Sequence, residues 1–343
     1  MAIKVGILGA TGFTGPELMV LLLRHPQVEI AWLSSESQPG TDYGKIYPQF
    51  QGRLPASVGI LRSFADVKAT QPDVVFSCLP HGASAECAAP FAANGKTLVI
   101  DLSADFRLQD LAAYEKAYAH PHPLPEVLKQ ARYGLTEIHA DAIKGARLIA
   151  NPGCYPTSAL LPLMPLIQAG VISPDGIIID SKSGVSGAGK KPTETTHYVY
   201  ANESVAAYGV GDKHRHRVEI MEQLSLSAGR KVEVLFTPHL IPMERGILST
   251  IYCDLAPGKD GAAAEACLKA AYAGAGFVRI REDFPRTADV KHSNFCHIKV
   301  YQPAGGNKLI IVSVLDNMVK GASGQALQNM NLALGLPAGL GLA

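Results

Sequence analysis

Long apolar runs are missing from this chain of 343 residues. A membrane-crossing helix needs about 20 consecutive apolar residues, and no stretch reaches that. The opening, Met1 to Gly9, is apolar but short, and glycine interrupts it, so it does not read as a secretory leader. An excess of charge is missing as well: 31 Lys and Arg stand against 30 Asp and Glu, a formal charge of +1. That argues against broad electrostatic binding to nucleic acid or to a membrane surface. Paired cysteine spacings are missing too. The cysteines, at 78, 87, 154, 253, 267 and 296, form no CxxC and no zinc-finger spacing, so neither a disulfide scaffold nor a metal site is expected. There is no internal repeat and no low-complexity linker. Apolar residues at 47% and charged residues at 18% supply a core rather than a disordered chain. The length suggests two domains, and the expectation is a soluble, cytoplasmic protein of a reducing compartment.

What is present begins with alternating strands and helices. Ile3 to Leu8, Val28 to Leu33, Asp73 to Leu79 and Thr97 to Leu102 read as strands, with a helix opening at Pro16. Strands separated by helices pair in parallel, because parallel neighbours need crossover connections. Near Asn151-Pro152-Gly153 the rhythm changes. Strands are expected at 176–181, 231–239, 246–254, 297–301 and 308–315, with helices at 156–169, 213–227 and 261–273. This is a mixed sheet with helices on one face, and its apolar strands offer a dimer face. The tail, 321–334, has helical spacing and is expected to return to the first domain.

Gly9-x-x-Gly12-x-x-Gly15 follows the first strand and opens a helix. Glycine there lets main chain approach a pyrophosphate, and a helix N-terminus offers unpaired N–H groups. The second strand ends at Ser34-Ser35, where NAD sites usually carry an acid for the ribose diol. Two neutral hydroxyls do not repel a 2′-phosphate, so NADP is expected. The alternative is that Glu36 serves NAD. No arginine clamp for the phosphate is visible in the sequence.

Asn151-Pro152-Gly153-Cys154-Tyr155-Pro156-Thr157 joins an apolar strand to a helical run. Cys154 is placed at that helix's N-terminus, where dipole and N–H groups favour thiolate and can hold an oxyanion. A thiolate attacking an acyl carbon gives a thioester, which accepts hydride where a carboxylate resists it. His214-Arg215-His216 and Glu219 sit on a predicted helix. His216 and Glu219 share a face, so the carboxylate is expected to orient the imidazole. His239 is a further candidate. A metal reading of His214, His216 and His239 is disfavoured, because HxH on a helix does not bring both rings together.

Gly184 to Lys190 satisfies GxxxxGK, but Lys191 follows where a P-loop needs Ser or Thr. The preferred reading is a flexible loop whose N–H groups, with Lys190 or Lys191, handle a substrate anion. The rival is a P-loop phosphotransferase. Arg107 and Arg245 are anion-binding candidates, since a guanidinium grips carboxylate or phosphate bidentately.

These stretches together closely resemble the N-acetyl-γ-glutamyl-phosphate reductases. The matching segments are GATGFTGPEL, CLPHGAS, DLSADFR, NPGCYPT, SKSGVSGAGK, HRHRVEI, FTPHLIPMERG and DNMVKGASGQALQNMN, collinear from residue 7 to beyond 330. The resemblance implies an α/β fold: a Rossmann-type NADP domain, residues 1–150 completed by a helix within 318–343, and an α+β semialdehyde-dehydrogenase-like catalytic and oligomerisation domain, 151–317. It puts the nucleophile at Cys154 and the histidine in HRH, with His216 favoured over His214. It implies cofactor contacts at Gly9, Thr11, Gly12, Phe13, Thr14, Gly15, Ser34, Ser35, Pro80, His81, Gly82, Ser183, Gly184, Gly187 and Asn317. Substrate contacts fall on Arg107, Asn151, Lys190, Lys191, His239 and Arg245. It further implies release of inorganic phosphate and a homodimer or homotetramer. Phe13 stands where the family often has Tyr, and Val218 where it often has Pro; neither change removes a catalytic group. A reductase of a lysine-pathway acyl phosphate shares much of this pattern. A non-catalytic NADP sensor is the remaining rival.

Overall fold

The computed structural model describes residues 2–190 and 192–342. The chain divides into two compact units. One runs to Pro152 and resumes at Ala322; the other is Gly153–Gly321.

The first unit is built on six strands: β1 (Ile3–Leu8), β2 (Val28–Leu33), β3 (Val74–Ser77), β4 (Leu98–Asp101), β5 (Arg132–Tyr133) and β6 (Leu148–Ala150). Their order is β2-β1-β3-β4-β6-β5, and every pairing is parallel. Apolar side chains on both faces of β1, β3 and β4 explain this, since a parallel sheet is covered on both sides. The helices of eight residues or more in this unit are α1 (Thr14–Leu22), α2 (Ser84–Ala93), α3 (Leu111–Tyr118) and, from the tail, Gly324–Ala333. One face of the sheet packs with α1 and the tail helix through Ile7, Leu18, Phe76, Ala326, Leu327 and Met330. The other packs with α2 through Val75, Ala88 and Phe91. Without the tail helix the first face would lose three fully buried apolar side chains.

The second unit carries β7 (Ile177–Ser183), β8 (Ala206–Ala207), β9 (Val234–Leu240), β10 (Ile247–Asp254), β11 (Val278–Ile280), β12 (Cys296–Tyr301) and β13 (Lys308–Leu315). Their order is β11-β12-β13-β10-β7-β9-β8. The β7–β9 and β11–β12 pairs are parallel, and the rest are antiparallel. Its long helices are α4 (Cys154–Gln168), α5 (Arg215–Ala228) and α6 (Gly261–Ala271); the tail helix is then α7. Every residue of α4 from Tyr155 to Ile167 is buried, as an apolar helix without a polar face must be. Period-two alternation gives the sheet two unlike faces. Ile179, Phe236, Ile251 and Ile311 form a fully covered row. On the other face Ile178, Leu235 and Tyr252 are exposed. Among the described residues no helix is long and apolar enough to cross a membrane.

Two sequence expectations change here. The 213–227 helix begins at Arg215, with His214 extended (φ −90°, ψ 119°) as its N-cap. The short strands β5, β8 and β11 were not expected.

Candidate active site

In the first unit, the loop after β1 turns at Gly9, whose φ is +71°. Gly15 opens the way for α1: a Cβ there would lie 2.1 Å from the Ala10 carbonyl oxygen. Phe13 is the N-cap and makes no side-chain hydrogen bond to the first turn. The first-turn N–H groups of α1 therefore have no side-chain cap, the arrangement that receives a phosphate. The loop is braced from the protein side, with Tyr43 OH donating to Ala10 O (3.2 Å) and Tyr47 OH to Thr11 O (2.8 Å). Ser323 OH donates to Thr14 O at 3.0 Å. Thr11 Oγ1 and Ser35 Oγ lie 3.0 Å apart, so the end of β2 reaches the glycine loop. Ser34 and Ser35 are buried. Glu36 accepts from the Phe64 N–H through one carboxylate oxygen.

The Pro80-His81-Gly82 turn follows β3, and Cys78, two residues before it, approaches this loop: a Cβ on Gly9 would come within 3.1 Å of the Cys78 main chain. Buried Asp105 holds the turn, accepting from Gly82 N–H (2.8 Å) and Ala85 N–H (2.9 Å). Beneath it Ser84 donates to Asp101 at 2.6 Å. Burial pushes the Asp101 carboxyl up to about 6, against the pull of its Ser84 and Ser103 hydrogen bonds. The His81 ring is exposed and lies 5.6 Å from the Tyr118 ring. A glycine cradle with an uncapped helix start fits a dinucleotide pyrophosphate.

In the second unit, Cys154 is the first residue of α4, with Gly153 as N-cap and no side-chain cap. The dipole of a 15-residue helix favours thiolate at this end. Glu219, 3% exposed, accepts from the Gly153 N–H at 2.9 Å. The carboxylate expected to orient an imidazole clamps the peptide before Cys154.

The two histidine rings lie 5.0 Å apart. This corrects the expectation that HxH keeps its rings separate. As an N-cap, His214 leaves the helical path, and His216 N–H donates to its Nδ1 at 3.2 Å. Both rings pack edge-on against Tyr155, at 5.5 and 5.9 Å. Burial, with a smaller contribution from Arg215, lowers His214 to about 4. Among the described residues no group of three His, Cys, Asp or Glu could hold a metal ion. Tyr155 OH and Tyr208 OH are 2.8 Å apart. Burial raises both phenols well above their usual range, with the Cys154 charge adding to it, which places the thiol near them.

The 184–190 loop is not the N–H cradle expected. Val185–Ala188 is a 3₁₀ turn. The N–H groups of 184, 185 and 186 bond to carbonyls of Gly246, Met243 and Glu244, and those of 187 and 189 bond within the loop. Its glycines serve packing: a Cβ on Gly184 would lie 2.6 Å from Arg245 N, and one on Gly187 2.5 Å from Ser183 Oγ. Asn317 fastens the same region, accepting from Gly246 N–H (2.7 Å) and donating to Ser186 Oγ (3.0 Å). The Arg245 side chain is 9% exposed, 3.4 Å from Glu244 and 3.7 Å from Asp316. Lys190 is exposed, and Lys191 lies outside the described residues. A cavity of about 360 Å³ sits nearby, lined by Val185, Tyr198, Met243 and Glu244 among others; no predicted site residue lines it.

Arg107 turns Nε onto Asn151 O and Nη2 onto Leu102 O, each at 2.8 Å. Asn151 in turn donates to Ala322 O (3.1 Å) and accepts from Asn329 (3.0 Å). These two act as braces within the first unit. His239 stands on the sheet face opposite Phe236, 3.2 Å from Asp180. Phe236 packs on Tyr155 and His214, so alternation directs His239 away from that cluster.

Residues the sequence reading passed over are Tyr155, Tyr208 and Gly321. A Cβ on Gly321 would lie 2.7 Å from Cys154 Cβ, a distance real Cβ atoms do not tolerate. Gly321→Ala is therefore expected to displace Cys154 and cut turnover by about 10-fold or more while leaving nucleotide binding intact. Steady-state kinetics beside a nucleotide titration checks this; unchanged kcat would show that the contact relaxes harmlessly.

Comparisons with known proteins bear on both units. A family model described as "Semialdehyde dehydrogenase, NAD binding domain" matches residues 4–146, and one described as "Semialdehyde dehydrogenase, dimerisation domain" matches 154–317. The chain is 47% identical to the N-acetyl-gamma-glutamyl-phosphate reductase of Rhodospirillum rubrum, covering 99% of this chain and 97% of the relative. It is 46% identical to that of Geobacter sulfurreducens, covering 99% and 98%. Among solved structures, aspartate semialdehyde dehydrogenase II from Vibrio cholerae aligns with a TM-score of 0.72 at 20% identity, covering 97% and 99%. That of Candida albicans with NADP aligns at 0.71 and 17%, covering 97% and 98%. The solved structures show the shared fold. The full-length identity to the reductases shows more: the chain belongs to the N-acetyl-gamma-glutamyl-phosphate reductase family.

Proposed function

We propose that the protein reduces N-acetyl-γ-glutamyl phosphate to N-acetyl-glutamate 5-semialdehyde and inorganic phosphate, a step of arginine biosynthesis, through a thioester on Cys154. The observation that carries this is Cys154 at the uncapped start of a buried helix, its preceding peptide clamped by Glu219 and two histidines packed on the following Tyr155. NADPH, when bound, supplies the hydride. The glycine loop of the first unit, with Ser34 and Ser35, would hold its phosphates and adenosine ribose, and Pro80 to Gly82 would face its other end.

Cys154 thiolate attacks the γ-acyl carbon, the phosphate departs with the C–O electron pair, and a thioester remains. Main-chain N–H groups at the start of α4 stabilise the oxyanion, both here and after hydride addition. Collapse of that second adduct returns the thiolate and frees the aldehyde. His216 manages the proton. His214, held neutral by burial, supports the helix start and the His216 backbone. Glu219 keeps Gly153 in place. Lys190, Lys191 and Arg245 supply positive charge for the substrate's anionic groups. Residues 1–150 with 318–343 form the nucleotide domain, and 151–317 the catalytic and self-associating one. Self-association uses the face bearing Leu235, Ile178 and Tyr252. A reducing compartment such as the cytoplasm suits a catalytic thiol, and among the described residues no cysteine forms a disulfide. The engaged N–H groups of the 184–189 loop count against the phosphotransferase reading.

The test runs the reaction backwards. N-acetyl-glutamate 5-semialdehyde, NADP⁺ and the protein are expected to form NADPH, followed by its absorbance, only when inorganic phosphate is added. Failure of that substrate with turnover of the lysine-pathway aldehyde would reassign the acyl chain. Failure of both in a protein that binds NADP⁺ would leave the sensor reading.

A further inference from the structure

The sequence shows no arginine next to Ser34-Ser35, yet the fold puts one there. A single parallel bridge pairs Ser34 with Arg62. Arg62 N–H donates to Leu33 O at 2.9 Å, and Ser35 N–H donates to Arg62 O at 3.0 Å. These two bonds fix the Arg62 Cα against the last turn of chain before the ribose-binding position. Bridged strands lie about 4.8 Å apart, so the long arginine stem covers the distance to either serine. Among the described residues the guanidinium makes no hydrogen bond and no ion pair. The two acids beside it are both held on main-chain donors. Glu36 accepts from Phe64 N–H, and Asp66 from Ser63 N–H. The Ser63 bonds hold the Asp66 carboxyl below the usual carboxylate range, with a smaller pull from Arg62 itself. The end of β2 thus presents two hydroxyls and a guanidinium that, among the described residues, is neither hydrogen-bonded nor ion-paired, with both neighbouring acids already accepting from main-chain donors.

We propose that Arg62 is the specificity-determining residue for the cofactor: its guanidinium grips the 2′-phosphate of NADP beside Ser34 and Ser35. The proposal rests on the reading of the first unit as the dinucleotide site. Guanidinium recognises phosphate through two parallel N–H donors and remains charged at any physiological pH. NAD, lacking that phosphate, gains nothing from it.

Binding, not turnover, is the readout. Trp32 is the one tryptophan of the chain, buried on β2 two residues before Ser34, so its emission reports occupancy by NADPH. Calorimetry extends the series to NADP⁺, NAD⁺, adenosine 2′,5′-bisphosphate and 5′-AMP. In the native protein the bisphosphate is expected to bind more tightly than 5′-AMP. Arg62→Gln is expected to weaken NADP⁺ and the bisphosphate about 10- to 100-fold, the range of a charge-assisted hydrogen-bonded pair. NAD⁺ and 5′-AMP should change less than about 3-fold, and the salt dependence of NADP⁺ binding should flatten. Arg62→Lys, with charge but no fork, should fall between. Because the bridge uses only main chain, unchanged Trp32 emission and melting temperature will show that the variant is folded. A native protein that prefers NADP⁺, with a preference untouched in Arg62→Gln, overturns the assignment to Arg62. A native protein that binds neither dinucleotide removes the underlying site reading, and the proposal with it.

Discussion

Cys154→Ser is expected to lose turnover by on the order of 10⁴-fold or more while binding NADPH as the native protein does. The reason lies in what a helix start can and cannot do. At the first residue of α4 the dipole contributes about 1 kcal/mol toward an anion. That matters for a thiol, whose ordinary pKa of about 8.5 lies within reach of such a shift, and is negligible for a hydroxyl. The same substitution should abolish the fast phase of thiol labelling at neutral pH, because the other thiols are poor competitors. Burial pushes Cys78 and Cys253 up to about 12, and burial also raises Cys87 and Cys267. A reactive fast phase that survives in Cys154→Ser, or turnover within about 10-fold of native, would end the covalent reading.

His216→Ala should cost kcat about 10²- to 10⁴-fold, the usual worth of a general acid–base group, and His214→Ala less. Burial that holds His214 near 4 leaves it neutral and a weak base at neutral pH. Its contribution is instead to the helix start, where removing an N-cap costs about 0.5–2 kcal/mol. That difference has a pH signature. In the unfolded chain the His214 imidazole titrates near 6.5, and in the folded protein at about 4. Between those values the unfolded state binds the extra proton, so stability falls as pH is lowered through the window. The loss is about 1.4 kcal/mol per pH unit at most, roughly 3 kcal/mol in all. Urea unfolding at pH 7, 5.5 and 4.5 measures it. His214→Asn keeps a capping acceptor but does not titrate, so its slope over this window should be shallower. An unaltered slope would mean that His214 is not the group responsible. If His214→Ala proved the more damaging to kcat, the proton role would move to His214.

Strands β2 and β13 fall at the residues read as strands from the sequence, because an apolar run of six to eight residues is long enough to recognise. Strands of two or three residues, such as β5 and β8, carry no period to read. The His214-x-His216 spacing was read on a continuous helix, which separates the rings; one residue of extended backbone at the cap brings them to 5.0 Å. The Gly184–Gly189 spacing was read as an anion loop, because glycine-rich loops before a lysine bind phosphate. Here the absence of a Cβ admits the Arg245 main chain instead. Glycine spacing records that something approaches closely, and does not say what.

The helix start at Cys154, the glycine turn and the α/β order were legible along the chain, since each depends on neighbours within a few residues: a capless helix end, a tight turn, a period of two or 3.6. Three arrangements were settled only in three dimensions. Glu219 reaches the Gly153 peptide, Gly321 lies on the Cys154 β-carbon, and Arg62 pairs with Ser34. Each joins positions far apart in sequence, through contacts that exist once the sheets have set their registers, and no local pattern encodes such a distance.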